Sequence, residues 1–206
     1  MTERILVKIV NWVGDAVLVT PFLQILRRIR PHAEITLLAR PVVADIFEAN
    51  ADVDRLWVAD ETKSKTAFWR IARRIRNERF DVGISLPNSF GAALLLFLGR
   101  VRQRIGYDRD GRRILLTHPV AVTPSLLRTH QVEYYIRLLD QLGDTLPFTR
   151  ELIVPVSPGA EAEARDALER HGLAEAEADG VPLVGMAPGA AFGTAQRSLP
   201  ERHALV

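Results

Sequence analysis

Asp15 stands where a carboxylate can act on a ligand. It follows Gly14 in a tight turn, after an apolar run from Ile5 to Val10 that only Lys8 interrupts. Such a run reads as a strand buried on both faces of a parallel sheet. From Asp15 onward a second apolar segment, Ala16 to Ile29, has helical spacing. Strand, glycine turn and helix start make a site for an anion, because the first helical N–H groups are unpaired and the dipole is positive there. Here the chain's own carboxylate occupies that end. Two later loops carry complementary chemistry. Leu86-Pro87-Asn88-Ser89 offers an amide and a hydroxyl, and Arg104 to Asp110 offers cations. Asn11 and Trp12 add an amide and an indole to the first loop. In an open α/β sheet such loops gather outside the carboxyl ends of the strands, which would make a pocket for a sugar or a phosphate.

Each feature also has a plainer reading. An Asp at a helix start is usually an N-cap accepting a backbone N–H, and by position alone that reading of Asp15 is preferred. Asn88-Ser89 after Pro87 is ordinary turn chemistry. His130 beside Thr129 fits a helix start better than a base. His32, His118, His171 and His203 show no metal-ligand spacing. Gly14 lacks the partner glycines of a dinucleotide fingerprint. The Arg run from Arg70 to Arg79 reads as a solvated helix face.

The elements that must hold these residues alternate. Strands are expected at Glu34–Ala39, Arg55–Val58, Phe80–Leu86 and Gln103–Gly106, and helices at Pro41–Glu48, Lys65–Glu78, Phe90–Leu98 and His130–Leu142. Thr20-Pro21 either kinks the first helix or starts a new one with Thr20 as cap. Strand–helix alternation at short spacing implies an α/β, doubly wound parallel sheet. We divide the chain into an N-terminal domain at 1–150, a linker and connecting helix at 151–180, and the start of a second domain at 181–206. Pro182–Ala187 would begin a second strand series, followed by a glycine turn and a helix near Pro200. One strand and part of a helix cannot complete a sheet, so the sequence reads as cut. The chain has 206 residues, a formal net charge of +2, 48% hydrophobic residues and no cysteine, which excludes disulfides and thiolate metal sites. No apolar run reaches bilayer length, and Met1-Thr2-Glu3-Arg4 runs straight into the first strand, so a cytoplasmic protein without a signal peptide is expected. The small net charge gives no strong case for nucleic acid.

The pieces taken together resemble glycosyltransferase family 9, the bacterial heptosyltransferases. Asn11-Trp12-Val13-Gly14-Asp15-Ala16-Val17-Leu18-Val19-Thr20-Pro21 is similar to the family's N-terminal motif. Leu86-Pro87-Asn88-Ser89-Phe90, Arg104-Ile105-Gly106-Tyr107, His130-Gln131-Val132-Glu133-Tyr134-Tyr135 and Ala187-Pro188-Gly189-Ala190-Ala191-Phe192-Gly193 resemble later landmarks, in the family's order. The Trp before Val-Gly-Asp and the Pro-Asn-Ser-Phe run favour the branch that adds the second heptose of the lipopolysaccharide core.

The resemblance implies a GT-B fold, of which this chain would be the Rossmann-like N-terminal half plus the first elements of the second domain. It implies inverting transfer without metal or cofactor, from the nucleotide-sugar donor ADP-heptose to a lipid-linked acceptor at the cytoplasmic face of the inner membrane. Asp15 is then the general base, which reverses the order of preference given by position alone. Asn11, Asn88, Ser89 and Arg109 are candidate acceptor contacts. Gly189, Phe192, Gly193, Gln196 and Arg197 are candidates for the donor side. The family usually carries Lys-Arg-Trp where this chain has Gln196-Arg197-Ser198, so Gln196 removes a positive charge where the leaving diphosphate develops a negative one. The rival readings are a non-catalytic, acceptor-binding remnant of such an enzyme and an unrelated doubly wound nucleotide-binding protein.

Overall fold

The first strand is the middle of the sheet. In the computed structural model, which describes residues 2–143, 147–174, 179–182 and 184–185, β1 (Arg4–Lys8) lies between β2 (Glu34–Ala39) and β4 (Val82–Ser85). Beyond β2 lies β3 (Arg55–Val58); beyond β4 lie β5 (Gln103–Tyr107) and β6 (His118–Val120). The order is β3-β2-β1-β4-β5-β6, and every pair is parallel. Ile5 pairs with Ile35 on one side and with Val82 on the other. Chain direction through the sheet therefore reverses between β1 and β4, which is where an open sheet binds ligands.

Alternation along β1 serves two cores. Ile5, Val7 and Ile9 pack with α2 (Thr20–Ile29), the segment Pro41–Phe47 and the helical stretch Gln131–Leu142. Leu6 packs on the other face with α4 (Lys65–Glu78) and α5 (Phe90–Leu98), through Ile71, Ile75, Leu95 and Leu96. The doubly wound α/β sheet expected from the alternation is thus present.

Several local readings hold to the residue: β2, β3, α4 and α5 span the stretches expected of them. Others are corrected. The first helical segment is two helices, α1 (Val13–Val17) and α2, so a new helix does start at Thr20-Pro21, but Val19 and not Thr20 is its N-cap. Thr20 is the first residue of α2, and its hydroxyl donates to the Val17 carbonyl at 3.0 Å instead of capping. The N-cap of α1 is Trp12, whose side chain makes no capping hydrogen bond, so Asp15 is a first-turn residue and not the cap. Pro41–Glu48 is the single turn α3 (Pro41–Ala44) followed by a 3-10 turn at Asp45–Phe47. No strand is expected soon after Gln103–Gly106, yet β6 follows there; its Pro119 is tolerated because β6 is an edge strand. His130 caps α6 (Gln131–Ile136), its Nδ1 accepting from the Val132 N–H at 3.2 Å, and the chain tightens to 3-10 geometry over Arg137–Leu142.

Two further features position the site. Arg4, Glu34, Arg55 and Glu78 form an ion-pair ring at the amino edge of the sheet, with Arg55 to Glu34 at 2.7 Å and Arg55 to Glu78 at 3.1 Å. Gly99, directly after α5, lets α5 touch α4: a Cβ there would stand 2.4 Å from Ile75 Cγ2. The chain clusters into two compact units, residues 1–157 and 158–206. In the second, α7 (Pro158–Arg170) is the connecting helix expected within 151–180, and Gly172 follows it at φ 67°. The second strand series and its glycine turn fall almost wholly outside the described residues. No described helix is long and apolar enough to cross a membrane.

Candidate functional site

At the switch point the β1–α1 and β4–α5 loops enclose a cleft of about 280 Å³. It is lined by Val10, Asn11, Trp12, Asp15, Leu86, Pro87, Asn88, Ser89, Gln131, Tyr134 and Tyr135. Two of the three loops expected on this rim therefore meet. The third wall is not the Arg104–Asp110 loop but one face of α6, where Gln131, Tyr134 and Tyr135 sit three and four residues apart.

Asp15 lines the cleft and makes no hydrogen bond or ion pair within the described structure, so its carboxylate is open to a ligand. It lies in the first turn of α1, where negative charge is favoured. Its charge is felt across the cleft. Burial first, and the Asp15 carboxylate second, push the Tyr135 hydroxyl up to about 12, so it stays protonated and is a donor. Asn11 Oδ1 is buried without a partner, a cost the fold carries at this position. Ser89 caps α5, its hydroxyl accepting from the Ala92 N–H at 3.3 Å, and still lines the cleft. The Nδ2 of Asn88 donates to the Tyr134 hydroxyl at 3.1 Å.

Arg109 is exposed and lies outside the lining of the cleft. The cation that reaches this region is Arg112, which is fully buried. Its Nε donates to the Tyr107 carbonyl at 2.8 Å, its Nη1 to Ser85 Oγ at 3.1 Å and to the Pro87 carbonyl, and its Nη2 to Asn88 Oδ1 at 3.2 Å. Burial lowers its pKa to about 10, which leaves the guanidinium charged at neutral pH. With Oδ1 of Asn88 taken by Arg112, the amide is oriented and its NH₂ is the group turned to Tyr134. Gly106 makes room for this arrangement, since a Cβ there would stand 3.2 Å from Arg112 Nη2. Tyr107 stacks on Tyr134 at 4.0 Å between ring centroids, and its hydroxyl donates to the Tyr134 carbonyl.

Sequence reasoning missed Arg112, Gln131, Tyr134 and Tyr135. The last three had a usable signal, their spacing on one helix face. Arg112 had none, standing in a run with Arg104, Arg109 and Arg113 from which only burial separates it. Gly189, Phe192, Gly193, Gln196 and Arg197, the candidates for the donor side, lie outside the described residues.

A doubly wound sheet whose switch-point cleft combines an open carboxylate with amide and phenol donors presents the groups that a small polar, hydroxyl-bearing ligand would need. The chain belongs to glycosyltransferase family 9 (heptosyltransferase), whose profile matches residues 68–203. It is similar to lipopolysaccharide heptosyltransferase 2 of Escherichia coli K12, at 28% identity over 94% of this chain and 56% of that protein. The solved glycosyl transferase family 9 protein from Veillonella parvula superposes with a TM-score of 0.83 at 26% identity, covering 98% of this chain and 58% of the other. The E. coli ADP-heptose LPS heptosyltransferase II shares the fold, with a TM-score of 0.66 at 23% identity over 81% of this chain and 50% of that one. The chain spans about half the length of the curated relatives it matches.

Proposed function

We propose that this chain is the acceptor side of an inverting heptosyltransferase that moves heptose from ADP-heptose to the inner core of a lipopolysaccharide. The observation that carries the reading is Asp15: a carboxylate that makes no hydrogen bond or ion pair among the described residues, in a cleft lined by amide, hydroxyl and phenol groups at the switch point. Family membership and the names of the relatives supply the donor and the acceptor class. Asp15 takes the proton of the acceptor hydroxyl as that oxygen bonds to the anomeric carbon. The bond from that carbon to the diphosphate breaks, ADP leaves with the electron pair, and the anomeric configuration inverts. Asn11, Asn88, Ser89 and Tyr135 orient the acceptor sugar. The chemistry as proposed calls for no metal or cofactor, and the lipid-linked acceptor would be met at the inner-membrane surface, from the cytoplasmic side.

The test is Asp15→Asn in the protein that carries this chain, with ADP release from ADP-heptose measured in the presence of heptose-deficient core glycolipid. The Asp15 side chain makes no hydrogen bond among the described residues, so the variant melts like its parent. The rate falls by about 10²–10⁴, the usual worth of a general base. Glycolipid binding by residues 1–206, measured by calorimetry, stays within about threefold of the parent value. A variant that melts normally and keeps more than about a tenth of the parental rate removes Asp15 from catalysis. Glycolipid binding without any ADP release by the unaltered protein favours the acceptor-binding remnant instead.

A further inference from the structure

The outward face of α4 is left unexplained by the cleft. The helix reads KTAFWRIARRIRNE, with five cations against one carboxylate, Glu78, and that carboxylate is taken by Arg4 and Arg55. Its buried face holds Ala67, Ile71, Ala72 and Ile75. Lys65, Trp69, Arg73 and Arg76 follow at i, i+4, i+8 and i+11, one stripe on the opposite side, with Arg70 beside it. All five are exposed, and Trp69 keeps 60% of its surface open. Lys65, Arg70, Arg73 and Arg76 make no ion pair or hydrogen bond through their side chains within the described structure. At the lower end Arg76, Arg79 and Arg100 surround one shallow cleft of about 460 Å³ with Asn77, and no carboxylate lines it.

Such a stripe works against the helix that carries it. Arg70, Arg73 and Arg76 are spaced three apart, where like charges repel. Lys65 opens the helix at the end where the dipole disfavours a cation, and no acid stands in that first turn. The dipole accounts for Arg79 and Arg100, which sit at helix carboxyl ends, but not for the rest.

We infer that this face docks on an anionic phospholipid surface, with Arg70, Arg73 and Arg76 over the headgroup phosphates and the Trp69 ring at the interface. Free cations interrupted by one exposed indole are what an interfacial helix presents. The stripe also starts at the sheet edge where the cleft opens, because the loop leading into α4 is tied there by Lys8 Nζ to Glu61 Oε1 at 3.0 Å. The choice of a lipid over a nucleic acid rests partly on the lipid-linked acceptor proposed above.

The test uses the unaltered chain and the triple variant Arg70→Gln, Arg73→Gln, Arg76→Gln, in co-sedimentation with vesicles. The vesicles are either phosphatidylglycerol with phosphatidylethanolamine, or phosphatidylcholine alone. The unaltered chain binds the anionic vesicles and not the neutral ones, and 0.5 M salt weakens binding at least about tenfold relative to 0.1 M. The Trp69 emission shifts to the blue on binding, a shift that Trp69→Phe removes. Each cation near an anionic surface is worth about fivefold, so the triple variant binds roughly a hundredfold more weakly. Equal binding to neutral vesicles, binding that salt does not change, or a folded triple variant within threefold of the parent overturns the inference. So does displacement of the chain from vesicles by single-stranded RNA at equal charge concentration. Should the triple variant not fold, the salt and lipid dependence of the unaltered chain decides alone. The assay contains neither donor nor acceptor. Vesicle binding without heptose transfer counts against the proposed reaction only, and transfer without vesicle binding counts against this inference only.

Discussion

Replacing Arg112 by Met tests whether the buried guanidinium holds the cleft loop. Methionine fills most of the space and removes every hydrogen bond. Five acceptors lose a charged donor, the Ser89 carbonyl at 3.5 Å being the most distant, each such bond being worth about 1.5–3 kcal/mol before offsets. The offsets are large. Burying the guanidinium cost several kcal/mol, which methionine recovers. Three of the acceptors also keep a second partner: the Arg109 N–H for the Tyr107 carbonyl, the Ser85 hydroxyl for the Pro87 carbonyl, and the Tyr134 hydroxyl for Asn88 Oδ1. The Tyr107 and Pro87 carbonyls are therefore not orphaned, and the net loss is about 1–3 kcal/mol. For a chain of this size that is a fall of roughly 3–10 °C in Tm. Arg112→Ala loses the packing as well and costs about 2 kcal/mol more. Arg109→Met, exposed and three residues away, stays within about 0.5 kcal/mol. Urea unfolding at pH 7 measures all three, with stability read from the midpoint at constant slope. An Arg112→Met protein within about 0.5 kcal/mol of the parent, or an alanine variant no worse than methionine, refutes the reasoning.

Two other predictions concern the scaffold. Gly99→Ala drives a methyl against Ile75 and costs about 1–3 kcal/mol by chemical denaturation; adding Ile75→Ala, which clears the space, should cost less than the two single effects summed, and strict additivity would place the strain elsewhere. The hydrogen bond from Arg55, joined by Arg4, holds the Glu78 carboxyl at about 2, below its ordinary 4.5. The depressed value means a contribution that is full above about pH 4.5 and lost as pH falls towards 2; with the pair partly exposed, it amounts to on the order of 1–2 kcal/mol. Glu78→Gln should flatten stability between pH 5 and 2.5, and an unchanged pH profile would show that the ring is not coupled to folding.

Patterns repeated over several residues were legible in the sequence. The alternation of buried apolar runs with amphipathic segments gave the sheet, and Pro41 after β2, Ser64 before α4, and Ser89 and Gly99 on either side of α5 mark bounds of those elements. Features set by one contact were not legible. Asp15 read as a cap because the helix seemed to start with it, whereas the turn begins at Val13 behind a Trp12 that makes no capping bond. The strand at His118–Val120 is held by pairing with Ile105, Gly106 and Tyr107, a contact that no periodicity over three residues announces. Arg109 and Arg112 are alike in sequence, and between them lies the turn at Asp110-Gly111, left-handed at φ 54° and 71°, after which Arg112 is buried. Two walls of the cleft were found from loop position in an α/β sheet. The third was missed because α6 contributes one helical face, whose side chains do not form a run.

The central place of β1 has a consequence for how the protein is made. The first of the six strands to be made finds one partner at Ile35 and the other only at Val82. Its cleft loop, residues 11–15, waits for residues 86–89 and then for α6. Until residues 131–142 have emerged, the face that carries Val7, Ile9, Phe22 and Leu26 lacks Val132, Ile136 and Leu139, which pack against it in the finished domain. Pairing over such separations is slow, and an uncovered apolar face during synthesis invites association. A nascent chain stalled before Gln131 would carry Asp15 and Asn88 and still have no cleft. Chaperone capture would be greatest over that interval, and the binding site would be the last part of the sheet domain to exist.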